Sequence, residues 1–264
     1  IPPSIGFVIF GVAANVSISK LFLAGIFPGI VLAAGLWATW WWMTRREHLT
    51  PPPKRTRAEV WASFRSAGWA LLLPVIILVG LRMGVFTPTE AAVVAAVYAL
   101  FVAAVIYKEL SLKQLYEVFH TAAKTTAVIM FLVAAAMVSA WLITVAQLPN
   151  QVIALLQPLL DSPMLLMVAM MVLVMAVGTA MDMTPTILIL TPVLMPLVKA
   201  AGIDPVYFGV LFIINNSIGL VTPPVGTVLN VVAGVGRMRM DDVTRGVFPF
   251  MVVQFIVLFP MVLF

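Results

Sequence analysis

The sequence predicts an all-α polytopic membrane protein, on three observations. First, 63% of its 264 residues are hydrophobic and only 9% charged, where soluble domains run at about 45–50% and about 25%. The mean hydropathy is +1.14, more apolar surface than a water-soluble fold of this size can hide. Second, apolar runs of spanning length recur along the chain. Third, 12 of the 15 Lys and Arg fall in three groups: six from Arg45 to Arg65, then Lys108, Lys113 and Lys124, then Arg237, Arg239 and Arg245. That clustering marks cytoplasmic loops under the positive-inside rule, and it explains the net charge of +5 without nucleic acid. With no cysteine, thiolate chemistry is excluded; His48 and His120 lie in polar connecting segments, unsuited to a metal site.

The elements follow in order. Leu21–Met43 is the first full span, closed by Trp37, Trp40, Trp41 and Trp42 against Arg45-Arg46 at the interface. Gly68–Val85 and Thr87–Ile106 are the next two, the latter opened by a capping box from Thr87 to Glu90. Lys108–Lys124 is expected as a surface helix and Thr125–Val145 as a separate span. After Leu155–Leu160 and the linker Asp161-Ser162-Pro163, the apolar run from Pro163 to Ala200 is interrupted from Gly178 to Pro185. Each half is short for a span, so the segment predicts a re-entrant hairpin with a polar tip. Asp204–Gly236, interrupted by Gly219-Leu220-Val221-Thr222-Pro223-Pro224, predicts a broken helix, and Gly246–Phe264 is the last span. Cap-then-proline pairs place helix starts at Ser162, Thr184, Asp204 and Thr222, two of them deep in apolar sequence.

The chain also repeats itself. Ile1-Pro2-Pro3 followed by Gly25-Ile26-Phe27-Pro28 matches Thr222-Pro223-Pro224 followed by Gly246-Val247-Phe248-Pro249 at a single offset of 221 residues. With an odd number of crossings between them, the second copy is inverted. Repeated halves with broken helices are the plan of secondary transporters. The same offset puts the partner of the Gly178 hairpin about 43 residues before Ile1, so a longer parent chain is expected.

Broken backbone at membrane depth persists only where protein, water or a ligand satisfies it. Gly219 through Thr222 offers carbonyls and a hydroxyl, an all-oxygen set suited to sodium, and half-helix starts at Thr184 and Thr222 would present positive ends to a carboxylate. Asp182 is the only carboxylate deep in an apolar segment and either serves function or caps the hairpin tip. Asn215 and Asn216 either bond across the break and line the substrate path or pack. No nucleophile–base pair and no phosphate-binding glycine loop is present, so the chain is not expected to be an enzyme.

Gly84-Val85-Phe86-Thr87-Pro88-Thr89-Glu90-Ala91, the hairpin Gly178 to Pro185, and Asn215 through Thr222-Pro223-Pro224-Val225-Gly226 together resemble the large membrane subunit of TRAP (tripartite ATP-independent periplasmic) transporters. The resemblance runs from Ile1 to the end and implies an inverted-repeat elevator transporter of the ion transporter superfamily in the bacterial or archaeal inner membrane. It implies sodium symport of an organic acid, such as a C4-dicarboxylate, sialic acid or sugar acid. The implied partners are a small four-helix membrane subunit and a periplasmic substrate-binding protein. One sodium site would use Gly178, Gly219, Thr222 and Val225, and the surviving part of another Ile1 and Pro3; Ile1 stands where the second copy has Thr222 and could offer only its carbonyl. Substrate contacts would come from Thr179, Asp182, Thr184 and Asn215, although Asp182 would repel an anion and could instead hold the hairpin or sense cations. Under this plan residues 1–20 are the second half of a broken helix, 21–124 scaffold helices with a cytoplasmic loop and surface helix, and 125–162 a spanning helix and connecting arm. Residues 163–202 are then the hairpin, 203–236 the broken helix and 237–264 a loop and the last span. A stand-alone sodium/dicarboxylate-type carrier and a membrane scaffold without substrate are the alternatives.

Overall fold

The computed structural model describes residues 2–45, 55–147, 151 and 162–263. Among these the chain is helical throughout, with no strand. It forms α1 (Ile5–Ala14), α2 (Ile18–Ala24), α3 (Ile26–Thr44), α4 (Arg57–Arg82), α5 (Pro88–Phe101), α6 (Leu112–Val145), α7 (Pro163–Gly178), α8 (Met183–Ala200), α9 (Pro205–Gly219), α10 (Thr227–Gly236) and α11 (Met240–Leu263). Six segments are long and apolar enough to cross a membrane: Ile18–Thr44, Arg57–Arg82, Pro88–Ile106, Leu112–Ile143, Met183–Ala200 and Met240–Leu263. The all-α, multi-pass fold class is thereby borne out. Ile1, the linker residue Asp161 and Leu155–Leu160 lie outside the described residues.

Two compact units form. One holds the N-terminal helices and everything from Ile129 onward; the other is Glu47–Val128. In the first unit, α1 packs on α8 and α9, and α3 lies along α11. Phe7 and Phe10 from α1, Phe22 from α2, and Phe208 and Phe212 from α9 are all buried. Phe10 and Phe212 have ring centroids 5.5 Å apart, and Phe208 stands 5.7 Å from Phe212. In lipid no hydrophobic force draws helices together, so close packing must, and small residues permit it. A Cβ on Gly209 would lie 2.3 Å from Phe10, and one on Gly6 would lie 2.8 Å from the Met183 sulfur.

In the second unit α4 and α5 pair, and a π-helical turn, Val102–Ile106, follows α5. Tyr98 Oη donates to the Trp69 carbonyl at 2.8 Å and Tyr107 Oη to that of Ser66 at 2.7 Å, fastening the pair. The expected capping box of α5 is present: Thr87 and Glu90 bond each other's backbone N–H groups, at 3.3 and 2.8 Å.

Several expected boundaries are corrected. α4 begins at Arg57, well before Gly68, because Thr56 and Glu59 form a capping box that starts the helix in polar sequence. α6 runs unbroken from Leu112 to Val145, so Lys108–Lys124 is not a separate surface helix; no helix breaker lies between Leu112 and Thr125. The first span is divided at Gly25 because Pro28 has no N–H for the Ala24 carbonyl, and the helix restarts with Pro28 in its first turn. α11 starts at Met240, six residues ahead of Gly246.

The repeat is visible in the backbone. α1 and α10 are both ten-residue helices ending in a left-handed residue, Asn15 at φ 54° and Arg237 at φ 50°. Each follows a cis proline pair, Pro2-Pro3 and Pro223-Pro224.

Candidate functional site

α7 and α8 pack against each other as a hairpin whose turn runs from Thr179 to Asp182. α8 is long enough to span, yet half of its apolar window is buried, against 22% or less for the other five segments. It is therefore an interior element rather than a lipid-facing one. Its start corrects the expected cap: Asp182, not Thr184, is the N-cap, and Thr184-Pro185 falls in the first turn, where a missing N–H costs nothing. Thr222 does not start a helix either. The chain turns from Leu220 through Val225, and α10 opens at Thr227 behind Gly226, whose φ of +51° suits glycine. Tandem prolines cannot supply two successive N–H groups, so the break is wider than the sequence marked.

The hairpin tip and this break meet backbone to backbone. A Cβ on Gly219 would lie 2.8 Å from the Gly178 carbonyl carbon and 3.1 Å from its oxygen. The Gly226 N–H donates to the Thr179 carbonyl at 3.2 Å, tying the tip to the far side of the break. Thr222 folds back on the end of α9, its N–H on the Gly219 carbonyl at 2.9 Å and its hydroxyl on that of Ile218 at 2.7 Å. The Val225 carbonyl accepts from the Asn230 amide at 3.0 Å. Gly178, Thr179, Gly219 and Thr222 are thus drawn together at the tip and the break, while the Val225 carbonyl is turned to Asn230.

Asn216 joins this locus, and the sequence did not single it out from Asn215. It is fully buried; its Nδ2 donates to the Met183 carbonyl at 3.4 Å, across the hairpin. Its Oδ1 has no hydrogen-bond donor among the described residues and points at Gly178, where a Cβ would lie 2.7 Å away. A buried carbonyl oxygen without a partner costs about 1–3 kcal/mol, which a cation would offset. Asn215 faces elsewhere: its Nδ2 donates to the Met171 carbonyl at 2.5 Å, two turns down α7, and the residue is buried. That role fastens α9 to α7 away from the tip. At the tip Asp182 is exposed and its carboxylate makes no capping bond, while its carbonyl accepts from the Thr186 hydroxyl at 2.8 Å. Thr184 is half-buried in the same turn. Pro3 lies apart at an exposed position before α1.

Helix starts differ in one respect. α2, α4, α5 and α9 are capped by the side chains of Ser17, Thr56, Thr87 and Asp204. α8 and α10, which open at the tip and the break, have no side-chain cap, and neither do α1, α3 and α7. In α10 the Val228 N–H is already taken by the Leu220 carbonyl at 3.2 Å, across the break.

A multi-pass helical chain with a hairpin packed into a broken helix, and a visible internal repeat, has the architecture of a membrane transport subunit. The sequence matches the DctM component of tripartite ATP-independent periplasmic transporters over residues 1–264, and the chain belongs to that family. It is 61% identical over 97% of its length to the 2,3-diketo-L-gulonate TRAP transporter large permease protein of Escherichia coli, covering 60% of that protein. It is 40% identical over 98% of its length to a sialic acid TRAP transporter large permease protein of Vibrio cholerae, covering 60% of it. A C4-dicarboxylate counterpart from Pseudomonas aeruginosa is 37% identical over 98% of the chain, again covering 60% of that protein. The chain therefore spans about three-fifths of the length of these relatives.

Proposed function

We propose that this chain provides the greater part of the large membrane subunit of a sodium-driven importer of organic acids. The observation that carries the proposal is the locus at Gly178, Gly219 and Asn216: two helix ends in backbone contact, with a buried amide oxygen that has no donor among the described residues. Sodium takes oxygen ligands and tolerates irregular geometry. Here it would draw on Asn216 Oδ1 and main-chain carbonyls at Gly178, Gly219, Thr222 and Val225, with the Thr222 hydroxyl adjacent. A second ion would use the equivalent turn at Ile1 and Pro3. The uncapped starts of α8 and α10 favour negative charge, so a carboxylate would sit near Thr179 and Thr184. Asp182 then stands beside the substrate rather than on it. The relatives named for 2,3-diketo-L-gulonate and sialic acid make a sugar acid the leading substrate class.

Cargo would arrive from a periplasmic binding protein, a small four-helix subunit would complete the membrane complex in the inner membrane, and the hairpin and broken helix would move together as an elevator. Each sodium ion entering down a 100 mV potential contributes about 2.3 kcal/mol, so two ions would supply roughly 4.6 kcal/mol and a monovalent anion would take back half. The test is uptake by proteoliposomes holding the full-length complex under an imposed sodium gradient without ATP, with the binding protein added or withheld. Uptake that requires both is the expected result. Uptake with sodium alone would place the protein with stand-alone carriers, and no uptake of any organic acid would overturn the proposal.

A further inference from the structure

The second unit carries a groove that the transport chemistry does not use. It has a volume of about 590 Å³ and is walled by Trp61, Arg65, Ser66 and Trp69 of α4 and by Ile106 and Tyr107 beyond α5. We infer that this groove holds the headgroup of an anionic phospholipid, with Arg65 on the phosphate, Trp69 along the glycerol and upper acyl chain, and Trp61 over the headgroup on the water side.

Depth supports this assignment. The 16 residues from Ser66 to Leu81 carry no charge and rise about 24 Å as helix, so Arg65 and Arg82 bracket most of a bilayer core roughly 30 Å thick. Arg65 therefore lies at headgroup level. Tyr107 is level with it, since its hydroxyl reaches the Ser66 carbonyl at 2.7 Å, and Lys108 follows directly.

Charge also supports it. Among the described residues no carboxylate pairs with Arg65, and Glu59, the nearest in sequence, is engaged in the capping box with Thr56. Arg55 and Arg57 lie at the same end of α4 and Lys108 follows Tyr107, so with Arg65 four cations stand against the two carboxylates Glu59 and Glu109, and the region is net basic. Composition supports it third. Trp61 and Trp69 are 68% and 46% exposed, with amphipathic rings of the kind enriched at the bilayer interface. A water-filled surface groove would gain nothing from two open indoles; a bound lipid would cover Trp69 with its chain and Trp61 with its headgroup.

The proposal is tested on the full-length protein in detergent by native mass spectrometry with added phosphatidylglycerol, cardiolipin or phosphatidylcholine. The anionic lipids are expected to stay bound where phosphatidylcholine is lost. Arg65→Gln should weaken phosphatidylglycerol binding roughly fivefold, the worth of one basic residue at an anionic surface. Arg65→Lys should retain most of the binding, and Arg57→Gln, outside the groove, should weaken it clearly less than Arg65→Gln. If Arg65→Gln fails to fold, the Lys variant and the wild-type selectivity still decide. Equal retention of the zwitterionic lipid, or undiminished binding by Arg65→Gln, would overturn the inference. So would protection by inorganic phosphate alone, or loss of all bound lipid when the small subunit is present.

Discussion

The hairpin and broken helix (α7 to α9) and the α4–α5 pair are both built from apolar runs but solve opposite problems. In α9 ten of fifteen residues are buried, two of them asparagines, and its end meets α7 through bare glycine backbone. In α4 only Ile77, Gly80 and Leu81 of 26 residues are buried, and its start is closed by its own side chains. One region spends side-chain volume to bring main chain together; the other keeps its backbone satisfied locally and presents its side chains outward. Hydropathy alone therefore cannot tell a working core from a supporting wall, whereas the fate of glycines and helix caps can.

A single kind of substitution should split the two regions most widely. Gly219→Ala is expected to destabilise by about 1–3 kcal/mol, since the new methyl meets Gly178 backbone rather than a movable side chain. Gly68→Ala in α4, with nothing within 4 Å of the added carbon, should be neutral or stabilising by up to about 1 kcal/mol. Thermal unfolding of both variants in detergent checks the sign. A smaller contrast lies within α9: Asn215→Ala should lower stability by about 1–3 kcal/mol with sodium affinity retained, and Asn216→Ala should abolish sodium-dependent protection while costing less stability. Equal loss of sodium response in both would break the distinction. Thr222→Ala is expected to weaken sodium affinity roughly fivefold and to alter the unfolding temperature little, because its hydroxyl bond is local to α9. Least of all, Thr87→Ala should cost about 1 kcal/mol through the lost cap, with sodium response untouched.

Much of this was legible in the sequence. Span positions follow from composition, and the two interruptions announce themselves because glycine, threonine and proline rarely coincide in an apolar run. Boundaries were read less well wherever a polar helix continues past the membrane core, as α4 and α6 do, since hydropathy ends before the hydrogen bonding does. The break at Gly25 was hidden because its cause, Pro28, lies three residues on. The division of labour between Asn215 and Asn216 could not be read at all. Adjacent residues on a helix point about 100° apart, and only the neighbouring hairpin decides which face is which. Helix starts at Thr184 and Thr222 were misplaced because cap-then-proline is a local signal, and the backbone contact at Gly178 and Gly226 overrides it.

The locus between Gly178, Asn216 and Thr222 is made wholly of carbonyl, amide and hydroxyl oxygens. None of these groups gains or loses a proton between about pH 4 and pH 10. A proton has no base there to settle on, so acidifying the medium cannot mimic a cation held by these oxygens. The strength of cation binding at such oxygens would be set by geometry and should stay level across the pH range in which bacteria live.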